Sequence, residues 1–537
     1  MASLSPMPSR AQEPPRDAEM ACSASTVVAP PRYIQGASAL LSQTVGSEKS
    51  CGVTALVMAA VVMISVIYSL PLLLAGVLQH KLLYAETRDD TFYEARVLQL
   101  VRGKSLGNPY LVEHEDAPRY MPEMVEQALA LAIRATHANP LKFVASTRAL
   151  FPALIFLFVY KLARELDLDQ ATALLAGTSI TMAPSPAVGG YALRYFRVIS
   201  PAAHVSLLMV ALWLLVRAWR EPSWRSICPA GIALGMLLYT PLYYWGFALC
   251  GAALLALLDS QARRPMVISG LIAVVLGAPS LLHSARVAAE PVVHETLVRM
   301  KLMIPGRSPE IGVLPRVAIA VVLLAITLWF RRSGFRWARF SMPFVVAGIV
   351  MLLQNLVTNR QIQAYHMTNC LVPLGGLALA GCFQAVRVAR PAAYALAVLL
   401  LAGAFGVQVS AYSAWLRNVS NDPGQYAVDT SFTDTIAWLN RETLAESVLV
   451  LPERLDASVP LFTPGRTYYS PYVFQYVVAD GEIQLRQVTQ AAWVPGSRLP
   501  YHADYVVRQE PQCRHWPKDG LVFGSITEGT CIYRVQP

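Results

Sequence analysis

The sequence predicts a polytopic α-helical membrane protein that carries a C-terminal extracytoplasmic α/β domain. Three observations lead there. Hydrophobic residues make up 55% of the chain against 15% charged, and mean hydropathy is +0.43, too apolar for a soluble protein of 537 residues. The apolar residues gather into runs long enough to cross a bilayer. Most of the arginines fall in short links between those runs, where the positive-inside rule places them. The net charge of +10 is therefore explained without nucleic acid, and no zinc-finger spacing or Arg-aromatic sheet pattern competes with that reading.

The chain begins with residues 1–50, which are rich in Pro, Ser and Ala and lack apolar periodicity. They read as a disordered cytoplasmic tail and not as a cleaved signal peptide, because the first apolar run comes late and is long enough to span. A transmembrane domain over 51–411 follows. Its runs are Gly52–Gln79, Phe143–Tyr160, Gln170–Val188 and Ile199–Val216, then Ile227–Leu258, then Met266–Leu282, Arg316–Phe330, Met342–Val357, Met367–Phe383 and Ala392–Ala411. Ile227–Leu258 is about twice the length one helix needs. Its middle, Tyr239-Thr-Pro-Leu-Tyr-Tyr-Trp245, holds a proline and four aromatics and predicts a hairpin of two spans that turns at the interface. The total is about eleven spans.

With the N-terminus inside, the Arg-rich links at 161–164, 217–225, 263–264, 331–339 and 387–390 all fall on the cytoplasmic side. The hairpin is needed for this: a single span there would put Arg331–Arg339 outside. The same alternation collects Lys81–Lys142, Gly189–Val198, His283–Leu314, Thr358–His366 and the tail on the other face. The tail, 412–537, is large enough for its own core. A helix over Ser431–Asn440 with Phe432, Ile436 and Leu439 on one face, and strands at Ser447–Pro452, Tyr472–Val478, Asp504–Arg508 and Cys531–Val535, predict an α/β domain. Most of the eight cysteines lie in apolar runs as small buried hydrophobes. Cys513 and Cys531 lie in the polar tail and are candidates for a disulfide in an oxidising compartment.

Asp89 and Asp90 stand just past the first run, in Glu86-Thr-Arg-Asp-Asp-Thr-Phe-Tyr-Glu-Ala-Arg96, with Glu94 one turn beyond Asp90. The residue types alone leave two readings open. One is a solvated juxtamembrane helix start. The other is a site where a cation, a metal or a substrate offsets the carboxylates. The order Asp-Asp-x-x-Tyr-x-x-Ala-Arg, followed by Gly103, resembles the first outer loop of the C-type integral-membrane glycosyltransferases (GT-C). There an Asp-Glu-x-x-Tyr pattern or a close variant is usual; here the second acid is Asp. The long first outer loop is also similar to theirs, with an interfacial amphipathic helix at Glu123–His137 whose apolar residues include Met124, Ala128, Leu131 and Ala135.

That resemblance implies an inverting transfer of a sugar from a polyprenyl-phosphate donor to an envelope glycan, lipid or protein acceptor, on the outer face of the inner (plasma) membrane. Asp89 and Asp90 take the family's two acidic positions as catalytic residues and as candidate ligands of a divalent cation. Tyr93 and Glu94 fall beside them as substrate-binding residues.

Other polar residues on the same predicted face are candidates for binding. Glu113, His114, Glu115 and Asp116 form either a solvated turn or a second acidic site for a metal or an acceptor hydroxyl. Arg299, Lys301 and Arg307 make a basic loop that the positive-inside trend would not place outside, which suits an anion. Arg194 and Arg197 pose the same question. Arg360, Gln361, Gln363 and His366 form a phosphate or sugar site at the start of a span. Two other function classes stay open: a polysaccharide ligase or polymerase, which Arg360 and His366 would serve, and a transporter or flippase. The scarcity of ionisable residues inside the spans and the lack of an obvious repeat speak against transport.

Overall fold

The computed structural model describes residues 54–71, 73–74, 88–183, 193–300, 304–307, 312–361, 365–421, 433–444, 446–452, 455, 459–470, 476–510, 512–515 and 518–535. The N-terminal tail, residues 189–192, Lys301, Gln363, Phe432 and residues 472–475 lie outside these residues, as do the side chains of Asp89, Asp90 and Gln361.

Among the described residues, eight helices are long and apolar enough to cross a membrane. They are α1 (Thr54–Pro71), α4 (Pro140–Glu165), α6 (His204–Arg220, with the irregular turn Val198–Ala203 before it), α9 (Ser260–Ala288), α11 (Val313–Arg332), α12 (Arg336–Leu353), α13 (Tyr365–Ala385) and α14 (Arg390–Asn421). Three more apolar runs form shorter helices. α5 (Gln170–Thr181) has 12 residues, α7 (Trp224–Leu237) has 14 and α8 (Leu242–Leu258) has 17. At 1.5 Å per residue they reach about 18, 21 and 26 Å, short of a bilayer core of about 30 Å. Among the described residues, the eleven apolar helices are thus eight of full length and three short ones, and eleven full spans are not confirmed.

The hairpin is present. The chain leaves helical geometry between Leu238 and Pro241 and restarts at Leu242. The packing of α7 on α9 fixes its direction. Ser269 Oγ donates to Ile227 O, and Ser280 Oγ donates to Leu238 O. Rising numbers in α7 meet rising numbers in α9, so the two helices are parallel and α8 returns the chain between them. The approach is close because Gly231 and Gly235 face Ile272 and Leu276. A Cβ on Gly231 would lie 2.7 Å from Ile272 Cβ, and one on Gly235 2.9 Å from Leu276 Cβ. This is small-residue packing, the means by which helices associate where hydrophobic burial gives no gain.

The ends of the bundle differ. At one end, which we term the link face, short connections are held by acids that cap one helix and pair with an arginine from another link. Asp169 Oδ1 accepts from Thr172 N to start α5, and Asp259 Oδ1 accepts from Gln261 N to start α9. Arg339 then reaches Asp259 at 2.8 Å, Arg336 reaches Asp167 at 2.5 Å and Arg220 reaches Glu165 at 2.9 Å. These pairs bring 165–169, 220, 259 and 331–339 to one end, the grouping that the hairpin was needed for.

The opposite end, the loop face, carries the long segments. α2 (Arg88–Val101) and α3 (Met124–Thr136) lie across the start of α4 and the turn at 198–203, sharing a core of Val97, Val125, Leu129, Ile133, Val144, Val198 and Ile199. α3 is apolar on two sides. Val125, Leu129 and Ile133 pack inward, while Leu131, on the stripe named from the sequence, is 69% exposed. That leaves an apolar stripe outward, as a helix at a bilayer surface requires. The short strands β1 (Ile304–Pro305) and β2 (Arg360–Gln361) pair antiparallel and tie the loop after α10 (Pro291–Arg299) to the one before α13.

The tail holds a five-stranded mixed sheet in the order β4-β3-β5-β7-β6: Arg466–Thr467, Val448–Val450, Tyr505–Gln509, Thr530–Arg534 and Leu521–Ser525. β3 runs parallel to β4 and β5, and β7 antiparallel to β5 and β6. Helices α15 (Thr433–Glu442) and α16 (Asp480–Ala492) accompany it. Cys513 and Cys531 are joined by a disulfide. Two details differ from expectation. β6 has no alternating pattern and was not foreseen. Tyr476–Val478 is not a strand: the Tyr476 carbonyl accepts from Thr296 and Arg299, and its ring packs on Phe92 and Tyr110, so its apolar residues serve the loop face and not the sheet.

Candidate active site on the loop face

α2 begins at Arg88, so Asp89 and Asp90 lie in its first turn, where the helix dipole favours acids. Tyr93 and Glu94 follow on the next turn. Glu94 is buried, and Tyr93 packs into the cores on both sides of α2. α2 is held by an ion pair in its own interior: Arg96 Nε lies 2.9 Å from Glu126 Oε1 of α3, with both side chains nearly inaccessible. Burial works against the charge on Arg96, but Glu126 outweighs it and raises the guanidinium above its usual value.

Beside α2, four elements bring polar groups together. The segment 193–203 supplies Arg194 and Arg197, α6 begins with His204, α8 begins with Tyr243 and Tyr244, and α13 begins with His366 and Asn369. Arg194 Nη1 donates to Asn369 Oδ1 at 3.0 Å. The His366 ring stacks on Tyr243 with centroids 4.6 Å apart, and Arg197 and the His204 imidazole are its neighbours. Tyr244 is fully buried beside Ser200, Asn369 and Tyr93. The His204 ring lies 5.4 Å from Tyr244, and its Nδ1 has no hydrogen-bond partner among the described residues. Arg316 joins from α11 by donating to Thr368 Oγ1 at 3.1 Å. Buried Arg148 of α4 closes the side nearest α2, its guanidinium 4.8 Å over the Phe196 ring. Four arginines and two imidazoles gathered beside one short helix make a site suited to an anion.

The sequence pointed to Arg194, Arg197 and His366, and missed His204, Tyr244, Arg316 and Arg148. Each lies in or beside an apolar run and vanishes when hydropathy is averaged. The usable signal was an ionisable or hydroxyl group inside such a run, which is costly unless it has a task.

The other sequence candidates fall elsewhere on the face. Glu113, His114 and Glu115 are joined to the tail. Arg486 Nη2 lies 3.2 Å from Glu113, His114 Nε2 is 2.9 Å from Glu482, and Arg466 Nη2 is 3.1 Å from Glu115. Arg466 also donates to Gln99 Oε1 and Pro109 O, and Thr467 N donates to Tyr110 O. Burial works to raise the Glu482 carboxyl, but the hydrogen bonds and charges of His114 and Arg486 prevail and hold it below the usual carboxylate value. Asp116 accepts from Ser105 Oγ. Arg299 pairs with Asp480 and donates to Tyr476 O. Arg307 and Arg360 are exposed and sit on the two sides of the β1–β2 pair. Among the described residues, no three His, Cys, Asp or Glu side chains gather as a metal set.

No protein-family model matches this chain, and no curated protein sequence matches it. Solved structures do. ArnT from Cupriavidus metallidurans, in a crystal structure bound to undecaprenyl phosphate, superposes with a TM-score of 0.57 at 11% identity, over 90% of this chain and 99% of that one. The Archaeoglobus fulgidus oligosaccharyltransferase, tethered by a disulfide to an acceptor peptide containing the NVT sequon, gives a TM-score of 0.46 at 12% identity, over 84% of this chain and 69% of that one. The chain thus shares the overall fold of ArnT.

Proposed function

We propose that this chain transfers a sugar from a polyprenyl-phosphate donor to an acceptor hydroxyl, on the outer face of the inner (plasma) membrane, with its N-terminus in the cytoplasm. The observation that carries the reading is the arginine and histidine cluster of Arg194, Arg197, Arg316, His204 and His366 beside the helix that begins with Asp89 and Asp90. The likeness of the fold to ArnT, which was crystallised with undecaprenyl phosphate, supports the class of donor.

The chemistry follows from the charges. The acceptor oxygen attacks the anomeric carbon while the bond from that carbon to the phosphate oxygen breaks, in one displacement that inverts the centre. The hydroxyl proton passes to the carboxylate of Asp89, and Asp90 raises its proton affinity by repulsion. The phosphate leaves with the bonding electrons, and Arg194, Arg197 and His366 hold the charge that develops. Asp89 and Asp90 are also the hard oxygen donors a divalent cation takes, and a cation held there would further neutralise the phosphate. Tyr93, on the turn after Asp90, is a neighbour of the buried Tyr244.

Mass spectrometry of envelope glycans and lipids from cells with and without this chain identifies the acceptor. Purified protein with that acceptor and an undecaprenyl-phosphate sugar then tests the assignment. Asp89→Asn keeps the size of the side chain and removes its base; turnover falls by about 10²–10⁴-fold while donor binding stays near normal. Near-normal turnover in both Asp89→Asn and Asp90→Asn would sink the assignment.

A further inference from the structure

A groove of about 720 Å³ lies where residues 116–127 pass over the ends of α7 and α9. We propose that it holds the acceptor, and that the acceptor is a membrane lipid with an uncharged, hydroxyl-bearing head. This rests on the transferase reading given above and names the substrate class it leaves open.

The wall of the groove faces lipid. Met236, Tyr239 and Pro279 line it from α7 and α9. Met236 is about as exposed as neighbouring Leu276, and Leu282 on the same helix end is more so. Large apolar groups exposed on apolar helices are surfaces for acyl chains. The opposite wall is Met121 and Met124, unbranched side chains that adapt to an irregular chain. A lipid can therefore enter from the bilayer with its chains against α7 and α9.

The groove's polar groups describe the head. Glu123 Oε1 accepts from Arg119 Nη1 at 2.9 Å and from Gln127 Nε2 at 2.7 Å, while Oε2 is buried with no hydrogen-bond partner among the described residues. A carboxylate oxygen in that state takes a donor, and a sugar hydroxyl is one. Arg119 is committed to Glu123, and the His283 ring lies 2.8 Å from the Arg119 carbonyl. The charged groups of the lining are Asp116, Glu123 and Arg119, two acids to one guanidinium, so the groove offers no surplus positive charge to a phosphate head. Its volume is that of a small-molecule site.

The groove also adjoins the site. Tyr120 lines it, and its neighbours on the other side are Tyr93, Arg96 and Arg299. A head resting on Glu123 is one aromatic ring from the helix that begins with Asp89 and Asp90.

The experiment is photolabelling of the full chain in lipid nanodiscs, which reads binding and needs no turnover. Three diazirine probes are compared: a dialkyl glucoside lipid, phosphatidylglycerol, and a glucoside without chains. The glucoside lipid labels peptides within residues 116–127 or 236–239. Met236→Trp and Ser284→Trp, which fill the groove from separate helices, each lower that labelling at least fivefold, and Glu123→Gln lowers it at least threefold. Equal labelling by phosphatidylglycerol makes the groove a bare apolar surface and overturns the proposal. Labelling by the chainless glucoside alone makes the acceptor soluble and overturns it too, as does no labelling of these peptides. The outcome is independent of the transferase reading: a labelled groove in a protein that transfers from no polyprenyl-phosphate sugar removes that reading and leaves the lipid site standing.

Discussion

The two ends of the helical bundle use the same residues in opposite ways. On the link face, arginines meet acids in water. Arg336, Arg339 and Arg390 are substantially exposed, and their partners Asp167, Asp259 and Asp169 hold short turns together. On the loop face, arginines are taken out of water. Arg96, Arg466 and Arg486 are almost wholly enclosed, and each meets an acid from another segment: Glu126, Glu115 and Glu113. Exposed pairs contribute little and pairs broken in the interior cost much, so one face is tolerant and the other is specified. A catalytic site needs the second kind of surroundings, because a charge works hardest where water does not screen it.

Four measurements break or sharpen this contrast. The largest effect is on transfer. Arg194→Ala with Arg197→Ala should lower turnover about 10²–10³-fold through lost stabilisation of the leaving phosphate, whereas Arg336→Ala should leave it unchanged. Equal losses from both faces would remove the distinction. Next is stability. Arg486→Ala takes the arginine from Glu113 and leaves Glu482 with His114 alone, and should cost about 1–3 kcal/mol, read as a lower melting temperature, while Arg339→Ala should cost under about 1 kcal/mol.

The third is pH. Glu482 is held below its unfolded value, so its contribution is present above about pH 4.5 and is lost as pH falls through the lower folded value. Hydrogen exchange at residues 108–116 should therefore quicken below about pH 4, and Glu482→Gln should be less stable near neutrality and flatten that response. An unchanged acid response in the variant would show that the clamp does not titrate there. The smallest effect is on accessibility. Leu444→Cys on the tail should react with an impermeant thiol reagent in intact spheroplasts, and Ser333→Cys on the link face only after lysis. The reverse order would invert the proposed orientation.

The helical layer was legible because its signals are local. Apolar length, a proline among aromatics at 239–245 and the placement of arginine gave the runs, the hairpin and the grouping of the links. The tail strands at 448–450, 505–509 and 530–534 were legible for the same reason, since each is a short apolar β-branched run. The site was legible only in part. Asp-Asp-x-x-Tyr could be found because its residues are adjacent. His204 and Tyr244 could not, because each is one polar residue in a window of apolar ones. The joining of the first long loop to the tail was beyond reach for another reason. Arg466 and Glu115 are 351 residues apart, and Glu482 and His114 are 368 apart; no periodicity or motif connects them. The same sequence reading that found an acidic cluster at Glu113–Asp116 could not see the arginines that meet it.

That joining sets an order on how the molecule is made. Tyr110 accepts a hydrogen bond from Thr467, 357 positions later. At about 5–20 residues per second, a ribosome needs roughly 20–70 s to deliver the second after the first. Through that interval the segment after α2 waits without the strand that completes it, while the helices beyond it insert. A chain cut short between α14 and α16 would keep its spans and lack Glu482 and Arg486, the partners of His114 and Glu113. Assembly of the loop face thus waits on a segment translated long after the one it closes.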